Sequence, residues 1–361
     1  MKSLFFLILI LINFKVFAIT YDGKDYFSSE TAYSPGKDEI VRKKYKSKKE
    51  VLYQINEEAC KFFEKNLYSP DGEKALEYLK KREISDENLK DYRIGWASED
   101  ETSLVKYLKN LGFSEDEIVA SGLAISLKRG TVDIIHGRIT FPLWDDDGRI
   151  IGYSARQLKD GKPKYINLRK TKIHDATKIF FNQYQAKNGI EKSKSAIVFE
   201  GNFDSLMAYF HGINNTVSLM GIKMTDSQIK KIFNEADTVY LCLDSDFAGK
   251  DATREIAEMM LPYLKRGKTL KIAKLPYGLD ADEVILKRGK DELLKIIDNS
   301  IDISEYFWNY EYKEAVKKYE EISLREKIKI YFKMFYIAQK IADPELRLQF
   351  MEYYEAKLKE I

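Results

Sequence analysis

The sequence predicts an α/β domain with a mainly parallel, Rossmann-like sheet, set inside a longer α+β chain. Three observations predict it. Residues from about 195 to 287 alternate short apolar runs with helical stretches, and such alternation with short loops implies right-handed crossovers and a largely parallel sheet. A spaced set of acids follows these runs: Glu200-x-x-x-Asp204, Asp244-x-Asp246 and Asp280-x-Asp282. Upstream, two runs flanking Asp145-Asp146-Asp147-Gly148 read as an antiparallel hairpin.

The elements follow in order. From Val51, the apolar residues Leu52, Ile55, Ala59, Phe62 and Phe63 recur at helical spacing until Ser69-Pro70-Asp71-Gly72. Residues 73–81 form a second helix with Ala75, Leu76 and Leu79 inward, and Ser85 caps a third. Residues 103–111 and 114–121 complete a small helical region. Strands at 138–143 and 150–154 then make the hairpin. Its three aspartates lack the spacing and distal Glu of an EF-hand, so they form a solvated turn. Strands are expected at 196–199, 215–219, 238–243 and 269–275, with helices at 203–211, from Thr225, and at 248–264. Beyond Ile301 the chain is helical to its end. There Leu324, Ile328, Phe332, Phe335 and Ile337 form a stripe expected to pack helix on helix. The chain thus divides into 1–18, 19–50, 51–194, 195–290 and 291–361.

Composition bounds the function. The 361 residues suffice for two or three subdomains. Hydrophobic residues at 44% and charged ones at 32% describe a globular chain rather than a disordered one. A net charge of only +3 means that any nucleic-acid surface is a local patch. Cys60 and Cys242 make no CxxC pair, which excludes a Cys-based zinc finger and gives a disulfide framework no support. Both are expected in the core. His136, His174 and His211 share no ligand spacing.

The amino terminus stands apart. Lys2 is followed by the apolar run 4–12, and Val16-Phe17-Ala18 resembles a cleavage site. This is a secretory signal pattern, too short to span a membrane comfortably. A polar leader follows and ends in the basic run Arg42-Lys43-Lys44-Tyr45-Lys46-Ser47-Lys48-Lys49. The competing readings are organelle import through the secretory route, a mis-assigned start and a membrane tether.

The acids carry the chemistry. Open parallel sheets bind ligands in the crevice beyond their strand carboxyl ends. Carboxylates gathered there repel unless cations neutralise them, and all-oxygen donors suit Mg²⁺ or Mn²⁺. The pattern points to a metal site for phosphoryl or nucleotidyl transfer. Lone aspartates often cap helices. Recurrence after three strands outweighs that reading for the set, while Asp280 and Asp282 individually also fit capping. Gly201 and Gly249 allow close backbone approach beside the acids. The helix beginning near Ala248 directs its positive end towards phosphates, with Lys250 either assisting there or facing solvent.

The motifs Glu200-Gly201-Asn202-Phe203-Asp204 and Asp244-Ser245-Asp246-Phe247-Ala248-Gly249 resemble the Toprim domain of DnaG-type primases, topoisomerases and some nucleases. Gly137-Arg138-Ile139-Thr140-Phe141-Pro142-Leu143, Gly148-Arg149-Ile150-Ile151-Gly152-Tyr153, Arg156 and Pro163-Lys164-Tyr165-Ile166-Asn167 resemble the segment before Toprim in bacterial primases. The stretches 75–82 and Ile94-Gly95-Trp96-Ala97 are similar to the amino-terminal part of the primase core. From Val51 onward the chain therefore looks like a bacterial DnaG-type primase catalytic core. The zinc-binding and helicase-binding domains of that family are expected to be missing. Two positions depart from the family pattern. Leu168-Arg169-Lys170-Thr171 stands where relatives carry a Ser-Pro-Glu-Thr-like sequence, and Ala176 where lysine is common, with Lys178 nearby.

The resemblance implies template-directed synthesis of RNA primers by two-metal nucleotidyl transfer. Glu200, Asp204, Asp244 and Asp246 become the catalytic set. Glu200, Asp244 and Asp246 are then the principal Mg²⁺ or Mn²⁺ ligands, Asp280 and Asp282 extend the cluster, and no zinc is expected. Glu200 is the implied general base. Arg138, Arg156, Lys164 and Asn167 are implied nucleotide or template contacts, and Lys250 joins them from its helix position. Tyr153 and Tyr165 fit the sheet core better than base stacking. The expected partners are single-stranded DNA, ribonucleoside triphosphates, and a replicative helicase or a separate zinc-domain protein. The expected compartment is cytoplasm or nucleoid, or an organelle reached by the signal-like segment, and not the exterior. Two competitors remain at this level: a Toprim nuclease or topoisomerase, and an impaired single-stranded-DNA-binding remnant.

Overall fold

The computed structural model describes residues 47–158, 163–221, 223–245, 247–316 and 322–361. The signal-like segment, most of the leader and Asp246 lie outside the described residues. Among the described residues, no helix is long and apolar enough to cross a membrane. Two compact units result: the chain up to Lys81 with Ser85–His174, and Arg82–Ile84 with Asp175–Ile361.

In the first unit, Ser47 caps helix α1 (Lys48–Leu67) by accepting the Glu50 N–H. Leu52, Ile55, Ala59, Cys60 and Phe63 are buried along one stripe, as their spacing requires. A short turn leads to α2 (Glu73–Lys81), then α3 (Asp86–Asp91) capped by Ser85. Strand β1 (Gly95–Ala97), α4 (Ser103–Asn110) and α5 (Glu115–Ala120) follow. The hairpin β2 (Ala124–Leu127) and β3 (Gly130–Asp133) escaped the sequence reading: it is only four residues per strand, and Ile125, Ser126 and Leu127 of β2 are exposed, so their alternation marks no buried face. The main sheet joins β1 to β4 (Arg138–Trp144), β5 (Ile150–Gln157) and β6 (Tyr165–Asn167), antiparallel throughout in that order. Asp145 holds the β4–β5 turn, accepting the Arg149 N–H at 2.9 Å and pairing with its guanidinium.

The second unit starts with α6 (Gln183–Ser193), β7 (Ser195–Phe199), α7 (Asn202–Phe210) and β8 (Thr216–Ser218). It continues with α8 (Asp226–Glu235), β9 (Thr238–Cys242), α9 (Phe247–Met260) and β10 (Thr269–Ile272). Helices α10 (Ala281–Arg288) and α11 (Lys290–Asp298) precede the edge strand β11 (Ile301–Asp302). Helices α12 (Ile303–Val316), α13 (Leu324–Gln339) and α14 (Pro344–Glu360) complete the chain. The sheet order is β11-β10-β9-β7-β8, parallel except where β11 joins β10. The mainly parallel sheet is as the alternation predicted. Val198, Val239, Leu241 and Leu270 from the strands share one core with Met260, Phe307, Met334, Ile337 and Tyr354 from the helices.

One expectation is overturned. Of the predicted α13 stripe, Ile337 is buried but Leu324, Ile328 and Phe332 are exposed. The inward row is Glu326, Ile330, Met334, Ile337 and Ala338. The two rows lie two positions apart, about 200° around a helix of 3.6 residues per turn. Apolar residues occupy both faces of α13, so periodicity alone selects the wrong one. The outer aromatics partly cover one another, as in the stacked pair Tyr331 and Phe335.

Candidate active site

Strands β7 and β9 are parallel neighbours with Phe199 opposite Cys242. The chain after β7 crosses to β8 on one side, while β9 and β10 extend the sheet on the other. A strand order that reverses direction opens a crevice at the carboxyl ends of the flanking strands. Glu200 leaves β7 directly and is exposed, and Asp244 stands two residues beyond β9, half-buried. The register therefore brings Glu200 and Asp244 to the same end of adjacent strands.

Two glycines let the following helices start there. A Cβ on Gly201 would stand 2.4 Å from Oδ2 of Asp204, and one on Gly249 would stand 2.2 Å from the Asp244 carbonyl oxygen. In the first turn of α7, Asp204 is buried, and its Oδ1 accepts the backbone N–H of Asp282 at 3.0 Å. Asp282 lies buried in the first turn of α10, where its carboxylate pairs with Arg82. The Arg82 guanidinium also lies 5.2 Å from the Phe203 ring centroid. Asp280 occupies the N-cap position of α10, and its N–H donates to Glu283 at 3.4 Å.

Cys242 reports the field these acids make. Burial pushes its thiol pKa up, and the nearby Asp204 and Asp244 carboxylates push it further. This cysteine is a core residue rather than a nucleophile.

Among the described residues, no group of three or more His, Cys, Asp or Glu side chains stands close enough to hold a metal ion. Asp246, the expected companion of Asp244, is outside them. The donor chemistry nevertheless fits a hard divalent cation. Glu200, Asp204, Asp244 and Asp282 all offer carboxylate oxygens, and the buried Oδ1 of Asp282 has no hydrogen-bond partner among the described residues.

The basic residues separate. In the first unit, Arg156 pairs with Tyr165 and Ser154 with Asn167 across β5 and β6, which puts Arg156 and Asn167 on one face. Arg138 pairs with Gln157 on the other face. Arg138 also donates to the carbonyls of Pro163 at 3.2 Å and Lys164 at 3.4 Å, holding the β5–β6 connection. Arg156 is buried, donates to the Tyr165 hydroxyl at 2.6 Å and lies 5.4 Å from the Tyr78 ring centroid. Lys164 is exposed. Tyr153 is fully buried in the sheet core, as expected. In the second unit, exposed Lys250 stands with its ammonium 5.5 Å from the Tyr277 ring centroid.

Arg82 was missed by sequence reasoning. It ends the stretch 75–82 that bears the family resemblance, but no local spacing links it to an acid 200 positions away.

A parallel sheet with acids at its switch point, in a chain that also carries an antiparallel-sheet unit, defines a Toprim-bearing catalytic core. Residues 62–187 match the model of the DNA primase catalytic core, N-terminal domain, and residues 197–285 match the Toprim-like model. The chain belongs to the family of bacterial DnaG-type primase catalytic cores. It is 33% identical over 284 residues to a DNA primase from Clostridium acetobutylicum, covering 78% of this chain and 45% of that one. A DNA primase from Rickettsia conorii is 28% identical over 320 residues, covering 88% and 52%. The chain thus spans about half the length of these curated relatives. A DnaG primase catalytic domain bound to single-stranded DNA superposes with a TM-score of 0.78 at 25% identity, covering 86% of this chain and 97% of that one. A DNA primase domain from Pseudomonas aeruginosa gives 0.78 at 26%, covering 86% and 96%. Catalytic cores of this family generally use divalent metals.

Proposed function

We propose that this chain joins ribonucleotides into short RNA primers on a single-stranded DNA template. The observation that carries this reading is the convergence of Glu200 and Asp244 at the switch point of β7 and β9, in a chain of this family. In the reaction, the 3′ hydroxyl of one nucleotide attacks the α-phosphorus of the next. The new phosphodiester P–O bond forms as the bond to pyrophosphate breaks, and the hydroxyl proton leaves to a base.

Glu200 is the proposed proton acceptor, because it is exposed at a strand end where a substrate can reach it. Glu200, Asp244 and Asp246 are the proposed principal metal ligands, with Asp204, Asp280 and Asp282 around them. When bound there, Mg²⁺ or Mn²⁺ activates the hydroxyl and stabilises the departing charge. Arg82 neutralises Asp282, and the Asp282 N–H fixes Asp204, so the cluster keeps its shape at a lower electrostatic cost. Lys164, Asn167 and Lys250 are proposed to meet phosphates or template. Arg138 and Arg156 are proposed to do so while also holding the strand connection and the Tyr165 ring in place.

Single-stranded DNA as template is supported by the matched catalytic domain solved with that ligand. Ribonucleoside triphosphates are the proposed substrates. A replicative helicase or a separate zinc-domain protein is the proposed further partner. The proposed compartment is one that holds DNA, the nucleoid or an organelle. The relatives named above are primases, which leaves the nuclease and topoisomerase readings without support.

The test is template-directed ribonucleotide incorporation by the purified chain. Glu200→Ala and Asp244→Ala should abolish incorporation while circular dichroism shows an unchanged fold. Normal incorporation by both variants would refute the site.

A further inference from the structure

Helix α13 carries two apolar arcs, and the fold uses one of them. The inner arc, centred on Ile330, Met334 and Ile337, packs against α12 and α14 in the core of the second unit. The outer arc holds Leu324, Ile328, Tyr331, Phe332, Phe335 and Tyr336. At about 100° per residue these six fall within an arc of about 140°. That is wide enough to be the contact stripe of a packed helix. Yet Leu324 is 74% exposed, Tyr336 67%, Phe332 54% and Ile328 49%. Single exposed apolar residues are common on protein surfaces. A contiguous patch of them rimmed by polar groups marks an interaction site.

Spacing and charge define what fits. Leu324, Ile328, Tyr331 and Phe335 are separated by four, three and four residues. This is the alternation of a coiled-coil seam, in which each side chain enters a hole on a facing helix. The seam is about 17 Å long at 1.5 Å per residue, or about three turns. The Tyr331 and Phe335 rings stack with their centroids 6.4 Å apart, which orders one end of it in advance. Positions beside such a seam set the choice of partner. Here they are Arg325 and Lys327, and neither makes an ion pair among the described residues. Lys329, by contrast, pairs with Glu326 at 2.9 Å, and Lys333 pairs with the buried Glu311. The one acid of α13 is Glu326, on the buried row.

A second copy of this chain would set these cations against their own kind in either helix orientation. Two unpaired cations are also fewer than the about four to eight that mark a lipid-binding surface. They match the carboxylates flanking one apolar seam. We propose that the outer face of α13 docks an acidic amphipathic helix of another protein. Its apolar residues lie along Leu324, Ile328, Tyr331 and Phe335, and its carboxylates meet Arg325 and Lys327. The contact involves neither Glu200 nor Asp244, so it is independent of the chemistry proposed above.

The test uses the full chain and two labelled peptides of about three heptads, with leucine along the seam and either glutamate or lysine beside it. Fluorescence anisotropy should show saturable binding of the glutamate peptide and binding of the lysine peptide weaker by about tenfold or more. Ile328→Ser should weaken the glutamate peptide by about tenfold. Arg325→Glu combined with Lys327→Glu should reverse the preference between the peptides. None of the three positions belongs to the buried row, and circular dichroism checks that each variant keeps its fold. The proposal is overturned if the glutamate peptide does not bind, if both peptides bind alike, or if the charge-reversed variant keeps the wild-type preference. Sedimentation, flotation with phosphatidylserine vesicles and binding of single-stranded DNA test the other occupants. Dimerisation, vesicle binding or DNA binding that Ile328→Ser abolishes would give the face to that occupant and contradict the acidic helix.

Discussion

The backbone N–H of Asp282 donates to Oδ1 of Asp204 at 3.0 Å, joining the first turns of two helices that are far apart in sequence. Both aspartates are buried. Helix amino termini favour negative charge, which lowers the cost of placing acids there. The remaining cost at Asp282 falls on Arg82, its only ion-pair partner among the described residues.

Arg82→Ala should therefore destabilise the second unit. Removing one partner of a buried pair leaves an uncompensated charge and costs about 3 kcal/mol. Urea unfolding measures it. Adding Asp282→Asn to Arg82→Ala should recover part of the loss, because the orphaned charge disappears. A double variant less stable than Arg82→Ala would contradict the pairing.

Asp133 makes stability depend on pH. Its carboxylate accepts the N–H groups of Leu104 and Val105 at 2.9 Å, at the start of α4. Burial outweighs those bonds and raises its pKa to about 6. A raised carboxylate pKa means that the folded state holds the proton more tightly than the unfolded one. The stabilisation is complete below about pH 4 and is lost as pH rises to about 6, a change of about 3 kcal/mol. The difference in unfolding free energy between wild type and Asp133→Asn should fall across that window. A difference independent of pH would contradict it.

The two faces of α13 should respond oppositely to substitution. Phe332→Ser on the exposed row should change stability by no more than about 0.5 kcal/mol. Met334→Ala on the buried row should cost about 2–5 kcal/mol. Chemical denaturation of the two variants distinguishes them, and a large loss for Phe332→Ser would restore the stripe read from the sequence.

That helix shows where sequence reading ends. The strand–acid–helix units at Glu200 and Asp244 were legible because each is contiguous, and parallel pairing then places their ends together without further information. The cap at Ser85 was legible for the same reason, since it bonds a backbone N–H three residues on. The partner of Asp282 was not, because Arg82 reaches it only through the folded chain. Nor was the division of Arg138 and Arg156 between two sheet faces, which depends on the register with Gln157 and Tyr165.

Electron paramagnetic resonance of Mn²⁺ titrated into the purified chain tests the central claim most directly. The wild type should bind the ion, and Glu200→Ala and Asp244→Ala should each weaken it by on the order of tenfold or more. Equal Mn²⁺ affinity in the wild type and both variants would mean that these carboxylates hold no metal, and the proposed chemistry would fall with them.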